Sequence, residues 1–166
     1  MRAKYLVILI VLFQSCRFAE DEHFYIPESF EGTVVIFFDQ TDGQDEEYSN
    51  DGGRIYRIPK NGILFTEFSA NYGAVNAKYY YVNEFGRVTK EIRPVYRHDG
   101  IENYSDEIVA YNPQTIAKTT NYNEHNEVVS ISPPGLSILV CPMNKVINLS
   151  EKRFDAIRDA RSKLDR

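Results

Sequence analysis

At 166 residues, with 43% hydrophobic and 26% charged side chains, the chain has ordinary globular composition and enough length for one domain whose core needs no disulfides. The formal charge of −5 becomes −7 once the first fifteen residues, which hold Arg2 and Lys4 and no acid, are set aside. With no stripe of Lys and Arg, a surface of that sign excludes nucleic acid as a partner. Twelve Tyr and ten Phe against no Trp, with many Val and Ile, favour strands.

Arg2 and Lys4 form a positive start, and Tyr5 to Phe13 is a continuous apolar run. A bilayer span needs about 20 residues, so this run reads as the core of a secretory signal peptide, residues 1–15. Gln14-Ser15-Cys16 ends it with a small residue directly before a cysteine. That ending resembles the bacterial lipobox, although Phe13 and Gln14 depart from its usual Leu and small residue. The resemblance implies cleavage before Cys16 and acylation of its thiol and new N-terminus, hence a membrane as partner through the lipid. The alternative is a plain signal peptide. Residues 16–23, with Glu20-Asp21-Glu22, read as an acidic tether reaching roughly 25 Å when extended. Acids close behind a lipidated cysteine resemble the surface-export signals of some Bacteroidetes lipoproteins; a solvated linker is the other reading. Cys141 is left without a partner inside an apolar run, and reads as a buried small hydrophobe.

Residues 24–149 read as the β domain. Tyr25-Ile26-Pro27-Glu28-Ser29-Phe30-Glu31-Gly32 leads into Thr33 to Phe38, which is apolar on both alternating faces and so predicts a central strand covered on both sides. The grammar returns at Tyr56-Arg57-Ile58-Pro59-Lys60-Asn61-Gly62, where Pro and Asn-Gly predict a hairpin between Arg54–Ile58 and Gly62–Glu67. A second hairpin is expected from Ala77–Asn83 and Arg87–Ile92 around Gly86. Glu107–Tyr111 and Glu127–Ile131 are short β-like runs, Asn112–Asn126 reads as a long loop, and Leu136–Cys141 as a last buried strand. Residues 150–166 predict an amphipathic helix packed on the domain, with Ser150 as N-cap, Leu149 and Phe154 as a hydrophobic staple, and Phe154, Ile157, Ala160 and Leu164 as its apolar stripe. The expectation is a mainly β protein: an antiparallel β-sandwich of about seven strands with one C-terminal α-helix.

The segments I-P-E-S-F-E-G-T-V-V, Y-R-I-P-K-N-G-I-L and Y-Y-Y-V-N resemble a family of small uncharacterised bacterial lipoproteins over about Phe24 to Ile92. The repeated unit is also similar to prealbumin-like sandwiches of carboxypeptidase regulatory domains. The first resemblance implies an address in the bacterial envelope, on the outer membrane and facing periplasm or surface, and no particular chemistry.

Candidate sites are few. Asp39, Asp42 and Asp45 punctuate an acidic loop that offers oxygen ligands for calcium, without the pattern of an EF-hand; a solvated loop is the plainer reading. His23, His98 and His125 stand far apart and read as surface residues. In Tyr79-Tyr80-Tyr81, two rings fall on one sheet face and one on the other, as expected of core and cross-strand packing. No nucleophile elbow, zinc-protease helix, phosphate loop or dinucleotide pattern is present. The reading is therefore a non-enzymatic binding or accessory module with no cofactor, serving an envelope protein or a glycan. The alternatives are a calcium-dependent adhesion module, or a hydrolase whose late loops gather His98 or His125 with Ser and Asp.

Overall fold

The computed structural model describes residues 19–73, 75–96 and 105–164; Cys16, the signal segment and His98 lie outside the described residues. Ten strands follow one another: β1 (Glu22–Pro27), β2 (Gly32–Phe37), β3 (Arg54–Arg57), β4 (Ile63–Phe65), β5 (Ala77–Val82), β6 (Val88–Val95), β7 (Ile108–Ile116), β8 (Thr119–Tyr122), β9 (Val128–Ser132) and β10 (Gly135–Pro142). A 3-10 turn at Met143–Lys145 leads into α1 (Val146–Glu151) and α2 (Arg153–Arg161). The protein is mainly β with a C-terminal helical segment, and has more strands than the seven expected.

Eight strands form one sheet in the order β3-β1-β5-β6-β7-β10-β2-β4. It folds over at β6, whose first half pairs with β5 and whose last residues, Arg93 to Val95, pair with β7. The two halves face each other across a core that takes Phe24, Ile26, Tyr56, Tyr79 and Ile92 from one layer and Val34, Ile36, Leu64, Ala110 and Ile138 from the other. The sheet is mixed rather than antiparallel: β1 runs parallel to β3 and β5, β2 to β4, and β6 to β7.

The parallel pairs explain a second correction. The turn at Pro59–Gly62 forms as its residues dictate, with the Gly62 amide donating to the Pro59 carbonyl at 2.9 Å and Gly62 at φ 76°. Its flanking strands do not make a hairpin, however, because β3 pairs with β1 and β4 with β2. Both Pro–turn–Gly units carry the chain from one layer to the other, and the second lies alongside the first. The Ile58 amide donates to Tyr25 O at 2.9 Å, and the Val35 amide to Gly62 O at 2.8 Å. A Cβ on Gly62 would sit 2.7 Å from the Phe30 ring, so glycine is required by contact as well as by φ. The β5–β6 hairpin forms as expected, closed by Asn83 and Arg87 with Gly86 at φ 73°.

The stretch 112–126 is not one long loop. β7 continues through it to Ile116, and β8 pairs with β9 as a separate two-stranded ribbon. The outer face of the β7-β10-β2-β4 layer is apolar too. Val35, Phe37 and Ile116 pack there with Ala160, Ile157 and Leu164 of the helical segment, and Leu139, Cys141 and Val109 with Met143 and Val146. β2 is thus covered on both faces.

The helical segment begins earlier than residue 150 and is broken at Lys152. Ser150 is no N-cap: it lies inside α1, where its hydroxyl donates to the Val146 carbonyl at 2.6 Å. Phe154 is 74% exposed and staples nothing. The buried stripe is Arg153, Ile157, Ala160 and Leu164, with Arg153 only 3% exposed. The reason is a bulge. Between Ser137 and Leu139 of β10, where one residue stands on that strand, β7 inserts two, Asn112 at φ 45° and Pro113. Pro113 has no amide to give, so ladder bonds are lost there. Arg153 Nη2 donates to the Asn112 carbonyl at 2.8 Å and the Ser137 carbonyl at 2.9 Å, spanning the gap from the helix side. The outward pairs Asp155–Arg158 and Asp159–Lys163 form as the spacing predicts but contribute little in solvent.

Two outcomes follow from this packing. Replacing Arg153 by Met leaves two buried carbonyls without a donor and should cost about 3 kcal/mol in urea unfolding, whereas Arg158→Met should change stability by less than about 0.5 kcal/mol. Cys141 is fully buried, and that burial pushes its thiol up to about 11. Iodoacetamide should therefore leave native protein unmodified at neutral pH and react only as fast as the domain unfolds.

Candidate functional site

Rows of inward side chains cross the β3-β1-β5 layer in register. Ile58, Ile26 and Tyr81 belong to one row, and Tyr56, Phe24 and Tyr79 form the next, with ring centroids 5.0 and 4.9 Å apart. One step further towards the start of β1 the row is Arg54, Glu22 and Ala77. A carboxyl here takes a place the strand's alternation reserves for the core, and Glu22 is 6% exposed. Burial raises its pKa above the ordinary carboxylate range, and the bonds from Asn71 and Tyr56 only partly offset this. Tyr56 Oη donates to Glu22 Oε1 at 3.2 Å and Asn71 Nδ2 to the same oxygen at 3.3 Å.

Glu22 lines a cleft of about 260 Å³ at this end of the sandwich, between the layers. Tyr79 and Ala77 of β5 and Tyr96 form one side; Phe38, Thr115 of β7 and Leu136 of β10 form the other; Asn71 to Gly73 close the rim. The chain enters the fold at that rim. Asn71 Nδ2 donates to Glu20 O at 2.8 Å, Arg54 pairs with Glu20, Asn76 donates to Asp21 at 2.9 Å, and Ala19 packs on Gly73. Residues from Ala19 onwards are therefore not a free tether, and β1 starts at Glu22. The acidic run had read as solvated; extending the Phe24, Ile26 alternation back by two positions is the signal that places Glu22 inside.

The acidic loop is held to the sheet through its amide rather than its carboxylates. Asp39, Asp42 and Asp45 are exposed, and among the described residues no three Asp, Glu, His or Cys side chains come together to hold a metal. The loop works through Gln44. Its backbone joins the end of β4 by bonds with Phe65 and Thr66, while its side chain donates to Ile55 O and accepts from the Arg57 amide, each at 2.9 Å, on β3. Gln44 thus bridges the two end strands of the sheet.

His23 is a correction: it is buried on the outer face of β1, beneath the turn 49–53, not at the surface. His125 lies in the turn of the β8–β9 ribbon, exposed. Among the described residues serine, histidine and aspartate meet at Ser49, Asp51 and His23. Their order is unsuited to acyl transfer. Ser49 Oγ bonds Asp51 directly, and His23 Nε2 stands 3.8 Å from the other carboxylate oxygen, so no imidazole is placed to take the hydroxyl proton. Ser49 Oγ also accepts from the Gly53 amide at 3.0 Å, the bond of a tight turn. Tyr79 and Tyr81 are buried and Tyr80 lies against Tyr25 on the other face, 5.8 Å between centroids.

The raised pKa of Glu22 has a definite sign. The fold prefers the protonated carboxyl, so its contribution is full below the ordinary carboxylate range and is lost as pH rises through the raised folded value. Glu22→Gln, which cannot ionise, should therefore unfold at a higher temperature than wild type at pH 7, and the gap should close or reverse near pH 4. A melting-temperature series across that interval checks both ends.

No curated protein matches the sequence. A crystal structure of a candidate lipoprotein from Bacillus anthracis is similar at 18% identity over 73% of this chain and 69% of that one, with a TM-score of 0.47. Among the described residues no helix is long and apolar enough to cross a membrane. Residues 19–128, more than half of the chain and all strands from β1 to β8, match a family described as a family of unknown function, DUF6843. The chain belongs to that family.

Proposed function

We propose that the protein is a binding module of the bacterial cell envelope, held to the outer membrane through acylated Cys16, and that the cleft beside Glu22 is where it binds. It carries no catalytic step of its own in this reading; its partners are an envelope protein or glycan and the membrane. The observation that supports the reading most is the place where the chain enters. Ala19 and Glu20 are fastened to the rim of the cleft, and only three peptide steps, roughly 10 Å at full extension, separate Ala19 from Cys16. A lipid on Cys16 would hold the cleft at the level of the headgroups rather than display it at the end of a long tether. Multiple acyl chains, each contributing about 0.8 kcal/mol per buried CH₂, would make the attachment stable.

Metabolic labelling with a clickable fatty acid tests the anchor. Wild type should take the label and sediment with membranes; Cys16→Ala should lose the label and move to the soluble fraction. Label retained in the variant, or missing from both proteins, would remove the anchor and with it the membrane-facing cleft.

A further inference from the structure

The cleft has one sign of charge. Among the described residues no lysine, arginine or histidine lines it, and its single ionisable acid is Glu22. Both hydrogen bonds to that carboxyl fall on Oε1 and both are long, at 3.2 and 3.3 Å; Oε2 accepts none among the described residues. Arg54, its cross-strand neighbour, acts on the carboxylate through space and favours its ionised form, but among the described residues its own hydrogen bonds go to the Glu20 carboxylate and the Ser69 carbonyl and none to Glu22. A carboxyl buried this far is ordinarily matched by a cation or by a full set of donors, because an unmatched charge out of water is costly. An anion entering the cleft would meet a like charge and no donor stronger than an amide or phenol. The walls are aromatic, with Tyr79, Tyr96 and Phe38 around the carboxyl and Tyr72, 74% exposed, at the mouth. Aromatic rings beside a carboxylate suit a positive, weakly hydrated group.

We infer that the cleft takes an organic ammonium ion, with the ammonium on the free oxygen of Glu22 and an apolar or polar body against the tyrosines. This rests on the reading of the cleft as the binding site. About 260 Å³ accommodates a small amine or the headgroup of an aminolipid, not a peptide of several residues. An ammonium on Oε2 supplies the direct cationic contact that Arg54 does not make, so it should also favour ionised Glu22 and weaken as pH falls into the range where that carboxyl is protonated.

The probe is n-butylammonium, titrated calorimetrically into the full chain in detergent micelles, with butyrate as the anion of matching size. Saturable binding of butylammonium and none of butyrate is expected. Glu22→Gln should weaken butylammonium on the order of thirtyfold, as when one partner of a buried charge pair is removed. Thr115→Trp, a change at an exposed residue of the cleft wall, should block binding while leaving the melting temperature in place, which separates loss of the site from loss of the fold. Competition by glycerophosphoethanolamine would identify a lipid headgroup as the source of the ammonium, and competition by spermidine alone a soluble polyamine; either supports the inference. Equal binding of butyrate, undiminished binding by Glu22→Gln, or no saturable binding of butylammonium would overturn it. Fatty-acid labelling reports on Cys16 alone, so the anchor and the cleft chemistry fail separately.

Discussion

The fold depends on two crossings of the chain between its layers lying side by side. Each consists of a strand, a proline, a turn, a glycine and a strand, and the second docks on the first through main-chain bonds on both sides of the turn, Ile58 to Tyr25 and Val35 to Gly62. A crossing delivers the chain to the opposite layer, so two crossings in the same direction stack like strands in parallel. β3 and β4 consequently end up at opposite ends of the same sheet. Their outer edges would present unpaired amides and carbonyls, and Gln44 spans the seam with backbone on one and side chain on the other. The amide of the acidic loop makes these contacts, and Asp39, Asp42 and Asp45 are exposed.

Two charged side chains sit where strand and helix periodicity call for apolar ones, and each is held by two hydrogen bonds. Arg153 finds two acceptors: the bulge in β7 exposes carbonyls from two strands and Nη2 donates to both, while Nε is buried without a partner and burial lowers the guanidinium pKa. That arrangement ties the helical segment to the sheet by geometry as well as by apolar area. Glu22 is matched less directly: Arg54 beside it acts only through space, its hydrogen bonds going to Glu20 and Ser69. Two long hydrogen bonds to one oxygen are a weak exchange for the water a carboxylate gives up, and the raised pKa expresses the deficit as a preference for the neutral form. Arg153 ties the helical segment to the sheet, whereas Glu22 faces the cleft between the layers.

Position adds to this. β1 and β5 of one layer, Phe38 just after β2, the bulged part of β7 and the start of β10 meet at one end, and the chain's entry point is bonded to the same rim. Ser49, Asp51 and His23, by contrast, are packed as a turn against a strand, with the serine hydroxyl consumed by its own loop.

What the sequence determined by itself was local. Alternation over Thr33 to Phe38 announced a strand buried on both faces, Glu84-Phe85-Gly86 announced a hairpin, and the Tyr79-Tyr80-Tyr81 rings divided between faces as period two requires. The two Pro–turn–Gly units were legible as a repeat, and the turn at Pro59–Gly62 formed as its residues demand. What that turn connects was not legible, because a tight turn constrains four residues and not the partners of the strands beside it. The cleft was equally hidden. Glu22 was read from its charge as solvated and Arg153 was not singled out, since a side chain's solvation depends on what covers it: Asn71 and Tyr56 for the one, Asn112 and Ser137 for the other. Those partners lie 34 or more residues from Glu22 and 16 and 41 residues from Arg153 along the chain. Only the folded sheet brings them near, and burial of a charge is a property of that arrangement rather than of any local spacing.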